Sequence, residues 1–274
     1  MNSMEKRMVE LLVELKETYN VCGVKAEFEA EGTRMEEAMR LKEVSLTAGL
    51  GLNLKIGGCE AIKDMFDAIS LGVERVIAPM VETSYALKKY INAVNLVFGN
   101  GYRNDVEFLI NLETITAFNN FEEMLALPEI KFLSGIVIGR VDLSGSMGLT
   151  REDINSDQVL KIALKIAEKA KSAGLKVVVG GGVSVHSLPF FKAFPEGHLD
   201  RFETRKVVFS CPNAINNPEE AFLKAVEFEI MWLKNKKNYY GAIHREDDAR
   251  LEMMEERYRK SIDNLIYGKL RKAS

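Results

Sequence analysis

A regular alternation of short apolar runs with amphipathic stretches constrains the fold of this chain most. The apolar runs cover residues 24–30, 52–56, 75–79, 106–113, 135–139, 176–180 and 202–209. Each run and the amphipathic segment after it together take roughly 30 residues, the length of a βα unit. This repetition predicts a parallel sheet, which is either a closed (β/α)8 barrel or an open, doubly wound sheet.

The polarity of the strand faces favours the closed barrel. In the first run, Lys25, Glu27 and Glu29 alternate with Ala26 and Phe28. The central strands of an open parallel sheet are covered by helices on both faces and are apolar on both. A barrel strand has one face toward the helices and one toward the interior, where polar groups can line a site. We therefore predict a (β/α)8 TIM barrel, with the eighth strand either in residues 19–23 or as a second strand within residues 201–210.

The pattern changes after Pro212. A helix is predicted from Pro218, followed by a polar break over residues 235–238 and a second, highly charged helix over residues 246–266. We predict a barrel over residues 1–234 and a C-terminal helical extension over residues 235–274. Apolar residues recur every three or four positions in the second helix, which has no place in an eightfold ring. This stripe packs either on its own barrel or on a second copy, so a homo-oligomer is expected.

Composition excludes several classes of protein. The 37 Lys and Arg residues are offset by 40 Asp and Glu residues, so the net charge of −3 offers no basic field for a nucleic acid. The three cysteines, Cys22, Cys59 and Cys211, are widely spaced, which is typical of reduced thiols. No apolar run approaches the roughly 18 residues that span a bilayer. We expect a soluble, cytoplasmic protein with neither nucleic-acid nor membrane partners.

Two acidic residues stand at predicted strand ends. Glu113 ends the run 106–113, and Asp142 follows the run 135–139. In a βα barrel the carboxyl ends of the strands carry the active site. Two carboxylates without a nearby histidine or cysteine are hard oxygen ligands that suit Mg²⁺ or Mn²⁺. The alternative is that each carboxylate pairs with a lysine or arginine at the rim.

The segment at residues 139–148, GRVDLSGSMG, resembles the G-x-x-D-L-S-x-S-x-G signature of the HpcH/HpaI aldolase and citrate lyase family. The stretches APMVE at 78–82 and LET at 112–114 are similar to the P-M-V-[EQ] and V-E-T motifs of that family, and the similarity covers roughly residues 24–182. It implies a metal-dependent (β/α)8 barrel in which Glu113 and Asp142 hold Mg²⁺ or Mn²⁺. It also implies a lyase that makes or breaks a carbon–carbon bond through a metal-stabilised enolate of pyruvate or a related small carboxylate.

Three departures from the family pattern indicate a divergent member. The D-x-E-H motif of the aldolases falls on residues 27–31, which read EFEAE, so the histidine that transfers a proton is missing. Lys55 stands where the family has an arginine that binds the keto-acid oxygens; a lysine keeps the charge but loses the bidentate fork. Arg140 replaces the proline of the signature.

The remaining site residues are assigned by position. We predict that Lys55 stabilises the enolate, that Glu27 or Glu29 transfers a proton, and that Arg205 binds an anionic acceptor or else pairs with Glu203. We assign substrate binding to four residues, whose glycines can offer backbone amides to a carboxylate or phosphate or can simply form tight turns: Gly57, Gly58, Arg140 and Gly181.

These assignments predict a metal-dependent carbon–carbon lyase or aldolase that acts on the enolate of a 2-oxo acid. An acyl-CoA lyase of the citrate lyase beta type is the nearest enzymatic alternative. A barrel that has lost turnover and serves as a binding or assembly subunit is the other. The missing histidine favours this last alternative, and the retained pair of carboxylates argues against it.

Overall fold

The eight strands close into a barrel in the order β1 to β8, which confirms the predicted fold class. The computed structural model describes residues 1–216 and 218–273, without the side chains of residues 100 and 263–273. The strands are β1 Val21–Glu27, β2 Leu52–Lys55, β3 Arg75–Ala78, β4 Glu107–Leu112, β5 Gly135–Gly139, β6 Lys176–Gly180, β7 Arg201–Glu203 and β8 Val207–Ser210.

Helices follow most of the strands, and hydroxyl side chains cap several of them. Thr83, Thr114 and Ser156 each accept a hydrogen bond from a backbone N–H group in the first turn of α4, α5 and α7. The helices are α1 Ser3–Tyr19, α2 Met35–Thr47, α3 Ile62–Leu71, α4 Ser84–Tyr102, α5 Ile115–Leu125, α6 Arg140–Ser146, α7 Asp157–Ser172, α8 Leu188–Lys192 and α9 Pro218–Ala273. Short 3₁₀ segments join them, among them Arg151–Asn155 and Val185–Ser187.

The last strand departs from the regular βα unit. Neighbouring strands from β1 to β7 are parallel, but β8 is antiparallel to both β7 and β1. Residues 201–210 therefore contain two strands, as one of the two predictions for the eighth strand stated. A parallel crossover needs a dozen or more residues, whereas a hairpin needs only a short turn. Three residues separate Glu203 from Val207, so the chain turns back at the carboxyl end of the barrel.

The barrel interior is layered. Ile77, Leu109, Val137 and Val178 form a buried apolar layer across the middle. Because side chains alternate along a strand, Glu107 lies two residues before Leu109 on the same inward face, toward the amino ends of the strands. The buried polar side chains of Lys25, Glu27, Lys55 and Asn111 line the cavity at the carboxyl ends. The apolar layer separates the two ends, so a site at the carboxyl end is closed from below.

The C-terminal helix corrects one prediction. The structure has a single helix over Pro218–Ala273, which runs through residues 235–238 without the predicted break. Those four residues are asparagine and lysine, whose helix propensities are only slightly unfavourable, and they include no proline. Polarity alone therefore does not end a helix here.

The chain divides into two compact units, Met1–Glu229 and Ile230–Ser274. The division into a barrel over residues 1–234 and an extension over residues 235–274 stays a prediction. Among the described residues, none of the helices combines the length and apolar character that crossing a bilayer requires.

Candidate active site

A cavity of about 850 Å³ lies at the carboxyl ends of the strands. Its wall brings together many of the predicted site residues, which come from separate strands and loops. The predicted residues in the wall are Glu27, Lys55, Glu113, Asp142, Gly181 and Arg205. Lys25, Asn111, Arg151 and Glu203 also line it and were not predicted as site residues.

Glu113 is held deep in this cavity by the end of β4. The carboxylate is almost completely buried, at 2% exposure. The backbone N–H of Met80 donates to Oε1 over 3.0 Å, and Nδ2 of Asn111 donates to Oε2 over 2.8 Å. A Cβ on Gly139 would lie 2.6 Å from Oε2 of Glu113, so only a glycine on the adjacent strand leaves room for this carboxylate.

The charge of Glu113 is poorly solvated. Burial raises the pKa of its carboxyl, and the nearby charge of Asp142 raises it further, against the ammonium of Lys55 and two hydrogen bonds. Asp142 lies in the first turn of α6 and is exposed. The two predicted metal ligands thus line one cavity and repel each other electrostatically, and this repulsion is what a bound cation would relieve.

Lys55 contacts two carboxylates, as its predicted position on the inward face requires. Its Nζ lies 3.1 Å from Oε2 of Glu29 and 3.7 Å from Oε2 of Glu113. Burial works to lower the pKa of this lysine, but the carboxylates of Glu113 and Glu29 outweigh burial and hold the pKa above its ordinary value. Lys55 is therefore a charged ammonium. Glu29 contacts Lys55 but is outside the cavity wall described above, whereas Glu27 is part of it.

Lys25 is a site residue that sequence reasoning missed. Its buried Nζ lies 2.8 Å from Oε1 of Glu27 and 2.7 Å from Oε1 of Glu203. Burial works to raise the pKa of Glu27, but the ammonium groups of Lys25 and Lys55 outweigh it and lower the pKa. Glu27 is therefore ionised at neutral pH. The signal was present in the sequence, because Lys25 alternates onto the same face as Glu27.

Arg205 differs in its partners from the sequence-based alternative. The prediction that Arg205 pairs with Glu203 is wrong, because Glu203 forms its ion pair with Lys25. The guanidinium of Arg205 lies 3.8 Å from Glu31 and 3.4 Å from Glu229, and the side chain is about half exposed at the cavity wall. The turn between β7 and β8 holds Arg205 there, so this position depends on the hairpin.

Arg140 has a different environment from the one predicted. Its side chain is completely buried, and its guanidinium donates to the carbonyl oxygens of Gly180 and Gly181 and to the side chains of Asn155 and Ser187. These hydrogen bonds commit the donors of the guanidinium to other groups of the protein at the strand ends. Arg140 therefore supports the loop that follows β6 and is not placed to contact a ligand in the cavity.

Gly57 and Gly58 also lie outside the cavity wall described above. The amide of Gly57 already donates to Oδ2 of Asp64 over 2.7 Å, so it is not available to an anion. None of the histidines is among the residues that line the cavity in the described part of the chain. The carboxylates of the wall, Glu27 among them, are candidates for proton transfer.

The family model described as HpcH/HpaI aldolase/citrate lyase matches residues 54–182. That stretch runs from β2 to the loop after β6 and includes Lys55, Glu113 and Asp142. The match covers a little under half of the chain and makes residues 54–182 similar to an HpcH/HpaI aldolase/citrate lyase domain. This result confirms the family suggested by the motifs at residues 78–82, 112–114 and 139–148. A comparison with curated proteins finds no match to this chain.

Solved structures of HpcH/HpaI proteins share the fold. The HpcH/HpaI aldolase from Desulfitobacterium hafniense DCB-2 is similar with a TM-score of 0.58 and 12% identity, over 72% of this chain and 81% of that one. A HpcH/HpaI aldolase/citrate lyase family protein from Burkholderia cenocepacia J2315 gives 0.57 and 14%, over 89% of this chain and 100% of that one. A variant of the citrate synthase SbnG gives 0.54 and 16%, over 72% and 81%. At these identities the similarity establishes the fold alone.

Proposed function

We propose that this protein is a divalent-metal-dependent carbon–carbon lyase that acts on a 2-oxo acid. One observation carries the proposal: Glu113 and Asp142 line the same cavity, and the ammonium of Lys55 lies 3.7 Å from Glu113. This arrangement combines oxygen ligands for a cation with a fixed positive charge. The family match supports a lyase, and the chemistry of the cavity supports a small carboxylate substrate.

The residues fit Mg²⁺ or Mn²⁺. Both acids offer oxygen ligands, and Mg²⁺ commonly binds proteins through one or two carboxylates while it keeps several waters. The described residues contain no cluster of three or more histidine, cysteine, aspartate or glutamate side chains that could hold a metal. Glu113 and Asp142 would be the acidic ligands, and water and substrate would supply the rest. A cation bound there would act as a Lewis acid that stabilises the negative charge of an enolate.

The residues of this chain supply charge and proton transfer. In the cleavage direction, the carboxylate of Glu27 takes the proton of the 4-hydroxyl group of a 4-hydroxy-2-oxo acid. The bond between C3 and C4 then breaks, C4 leaves as an aldehyde, and the electron pair of the bond forms the enolate of pyruvate. Protonated Glu27 returns its proton to C3, which completes pyruvate. Lys55 stabilises the enolate electrostatically, and Lys25 keeps Glu27 ionised before each turnover.

A barrel without turnover is the second candidate, and one observation favours it. No histidine is among the described residues that line the cavity. Glu27, the acid proposed to transfer the proton instead, is held in an ion pair 2.8 Å from Lys25. Such a protein would bind a metal and a carboxylate but release no product. The two candidates therefore differ in product formation and agree in metal binding.

Metal binding is tested with Mn²⁺, whose electron paramagnetic resonance signal weakens when the free ion binds. We expect the chelator-treated wild-type protein to bind one Mn²⁺, with tighter binding when oxalate is added as an enolate analogue. Asp142→Asn keeps the shape but removes a charged ligand, so we expect at least a 10-fold loss of affinity, in line with the loss on changing groups around a metal site. Asp105→Asn removes an exposed carboxylate outside the cavity wall and should leave the affinity unchanged.

Turnover is tested on the same preparations by pyruvate release from a panel of 4-hydroxy-2-oxo acids. Release that depends on Mn²⁺ and is lost in Asp142→Asn supports the lyase. Metal uptake without release from any member of the panel supports the barrel without turnover. If the wild-type protein takes up no Mn²⁺ even with oxalate present, the metal site is wrong.

A further inference from the structure

The part of α9 in the second compact unit carries a stripe of residues at regular heptad spacing. Steps of three and four residues alternate along it without interruption. The members of this heptad stripe are Ile230, Leu233, Lys237, Tyr240, His244, Asp247, Leu251 and Met254. A repeat of about 3.5 residues keeps side chains on one face of a helix, and it is the repeat by which two helices pack along a common seam.

The apolar members of the heptad stripe are exposed. Ile230 is 45% exposed and Leu233 is 55% exposed, and Leu251 and Met254 are each 59% exposed. A single exposed apolar side chain is ordinary on a protein surface, but several on one face of a helix are typical of a surface that binds another protein. The stripe therefore has the character of an interface.

The order of residues along the stripe indicates a second copy of the same helix. The stripe is symmetric about Ala242, and the pairs at equal distance from it are Ile230 with Met254, Leu233 with Leu251, Lys237 with Asp247, and Tyr240 with His244. Two antiparallel helices related by a twofold axis at Ala242 bring the members of each pair together, one from each copy. Apolar side chains then meet apolar side chains at both ends of the seam, and a cation meets a carboxylate nearer the middle.

The charges of the whole segment favour the same orientation. Residues 230–245 carry no carboxylate and four basic side chains, which are Lys234, Lys236, Lys237 and Arg245. Residues 246–256 carry six carboxylates and one basic side chain, Arg250. Antiparallel helices place the basic half of each copy beside the acidic half of the other, whereas parallel helices place like charges together. Like charges across an interface oppose association, so the antiparallel arrangement is favoured.

Lys237 and Asp247 are available for a pair between copies. Both side chains are exposed, and within the described residues neither is in an ion pair. Glu246 and Arg250, by contrast, pair with each other within the helix. Lys237 and Asp247 are ten residues apart, which is about 15 Å along a helix, so they are too far apart to pair within one copy.

We propose that residues 230–254 of α9 bind the same segment of a second copy in antiparallel orientation, with Lys237 of each copy paired with Asp247 of the other. Among the described residues that line the cavity, none lies in this segment. The proposal is therefore independent of the proposed lyase activity.

Charge reversal tests the register by sedimentation equilibrium of the full chain. Lys237→Glu places two carboxylates opposite each other at two points of the seam, and Asp247→Lys does the same with two cations. We expect each variant to raise the dissociation constant of self-association about 10-fold or more. The double variant restores opposite charges in exchanged positions, so its dissociation constant should return to within about 3-fold of wild type.

Arg245→Glu is the matched control. It makes the same change of charge one position outside the heptad stripe, so we expect less than about a 3-fold effect on association. Circular dichroism should show the same helix content in every variant. In a parallel pair Lys237 would already face a second Lys237, so neither single variant would weaken association. Weakening in the single variants without recovery in the double variant would overturn the register.

Cross-linking with a carbodiimide identifies the occupant of the stripe directly. This reagent joins an amine to a carboxylate only where the two are in contact. In a mixture of ¹⁴N- and ¹⁵N-labelled wild-type chains, we expect linked peptides that join Lys237 of one label to Asp247 of the other. Such a link with unchanged overall association still supports the pairing, because another surface can then hold the copies together.

Three results overturn the proposal. The first is a wild-type protein that does not self-associate. The second is a set of single variants that associate as tightly as wild type while no link between Lys237 and Asp247 forms. The third is a link from Lys237 to a carboxylate outside residues 246–256, which assigns the stripe to another occupant. Mn²⁺ uptake and pyruvate release judge the lyase separately, so either proposal can fail without the other.

Discussion

Glu107 provides a prediction about stability that is independent of the function. It lies at the amino end of the barrel interior, where it accepts hydrogen bonds from Arg75 over 2.7 Å and Arg201 over 2.9 Å, and from Lys176. Burial works to raise the pKa of its carboxyl, but the three cations outweigh burial and lower the pKa to about 2. The charged form of this carboxylate therefore stabilises the fold.

The magnitude follows from the pKa. A fall from the ordinary value of 4.5 to about 2 corresponds to about 3 kcal/mol of folding free energy. Because the side chain of Glu107 is 25% exposed to solvent, screening reduces this stabilisation to about 2 kcal/mol. Since the folded-state pKa is depressed, the stabilisation is fully present above pH 4.5 and is lost as the pH falls from 4.5 towards 2.

Glu107→Gln tests this reasoning by urea unfolding, followed by far-UV circular dichroism at pH 7 and pH 3. We expect the variant to lose about 2 kcal/mol at pH 7 and less than half of that at pH 3, where wild-type Glu107 is itself becoming protonated in the unfolded chain. Glu74→Gln is the matched control. Glu74 lies 3.5 Å from Arg75 but is half exposed, so its loss should be under about 0.5 kcal/mol. An equal loss for Glu107→Gln at both pH values would refute the electrostatic explanation.

Two further predictions concern the amine of Lys55 and the C-terminal helix. The carboxylates of Glu29 and Glu113 keep Lys55 charged, so treatment with pyruvate and borohydride should leave the mass of the protein unchanged. A trapped adduct on Lys55, found by peptide mass spectrometry, would contradict electrostatic catalysis. Leu251 and Met254 are both 59% exposed on α9, so if this stripe joins copies of the chain, replacing both with glutamate should lower the mass in solution measured by light scattering. An unchanged mass would count against this role of the helix.

The sequence was sufficient for the barrel and for placing Glu113 and Asp142 at one end of it, because both depend on local repetition. Alternation of polar and apolar residues along each strand fixes which side chains face inward, and strand ends in a barrel meet at one rim. Lys55, Glu113 and Asp142 could therefore be placed at one rim of the barrel from the sequence alone. Lys25 could have been added on the same ground, because it alternates with Ala26 as Glu27 does.

Local patterns were misleading where the outcome depends on what a segment packs against. The polar run at residues 235–238 suggested a helix end, yet no strong helix breaker stands there and the helix continues through it. Arg140 was predicted to bind substrate, yet its side chain is buried among the carbonyls of Gly180 and Gly181. A charged side chain can face a cavity or support its wall, and the strand pattern does not distinguish these environments.

The sequence by itself determined the repeat of strands and helices, the inward faces and the pair of carboxylates at the strand ends. The tertiary structure alone decided that β8 turns back on β7, that Glu203 pairs with Lys25 while Arg205 pairs with Glu31 and Glu229, and that Arg151 lines the cavity. The physical reason is that periodicity encodes the direction of each side chain relative to its own strand. The partner of a charge is set by which distant segments meet, and that depends on the closure of the whole barrel.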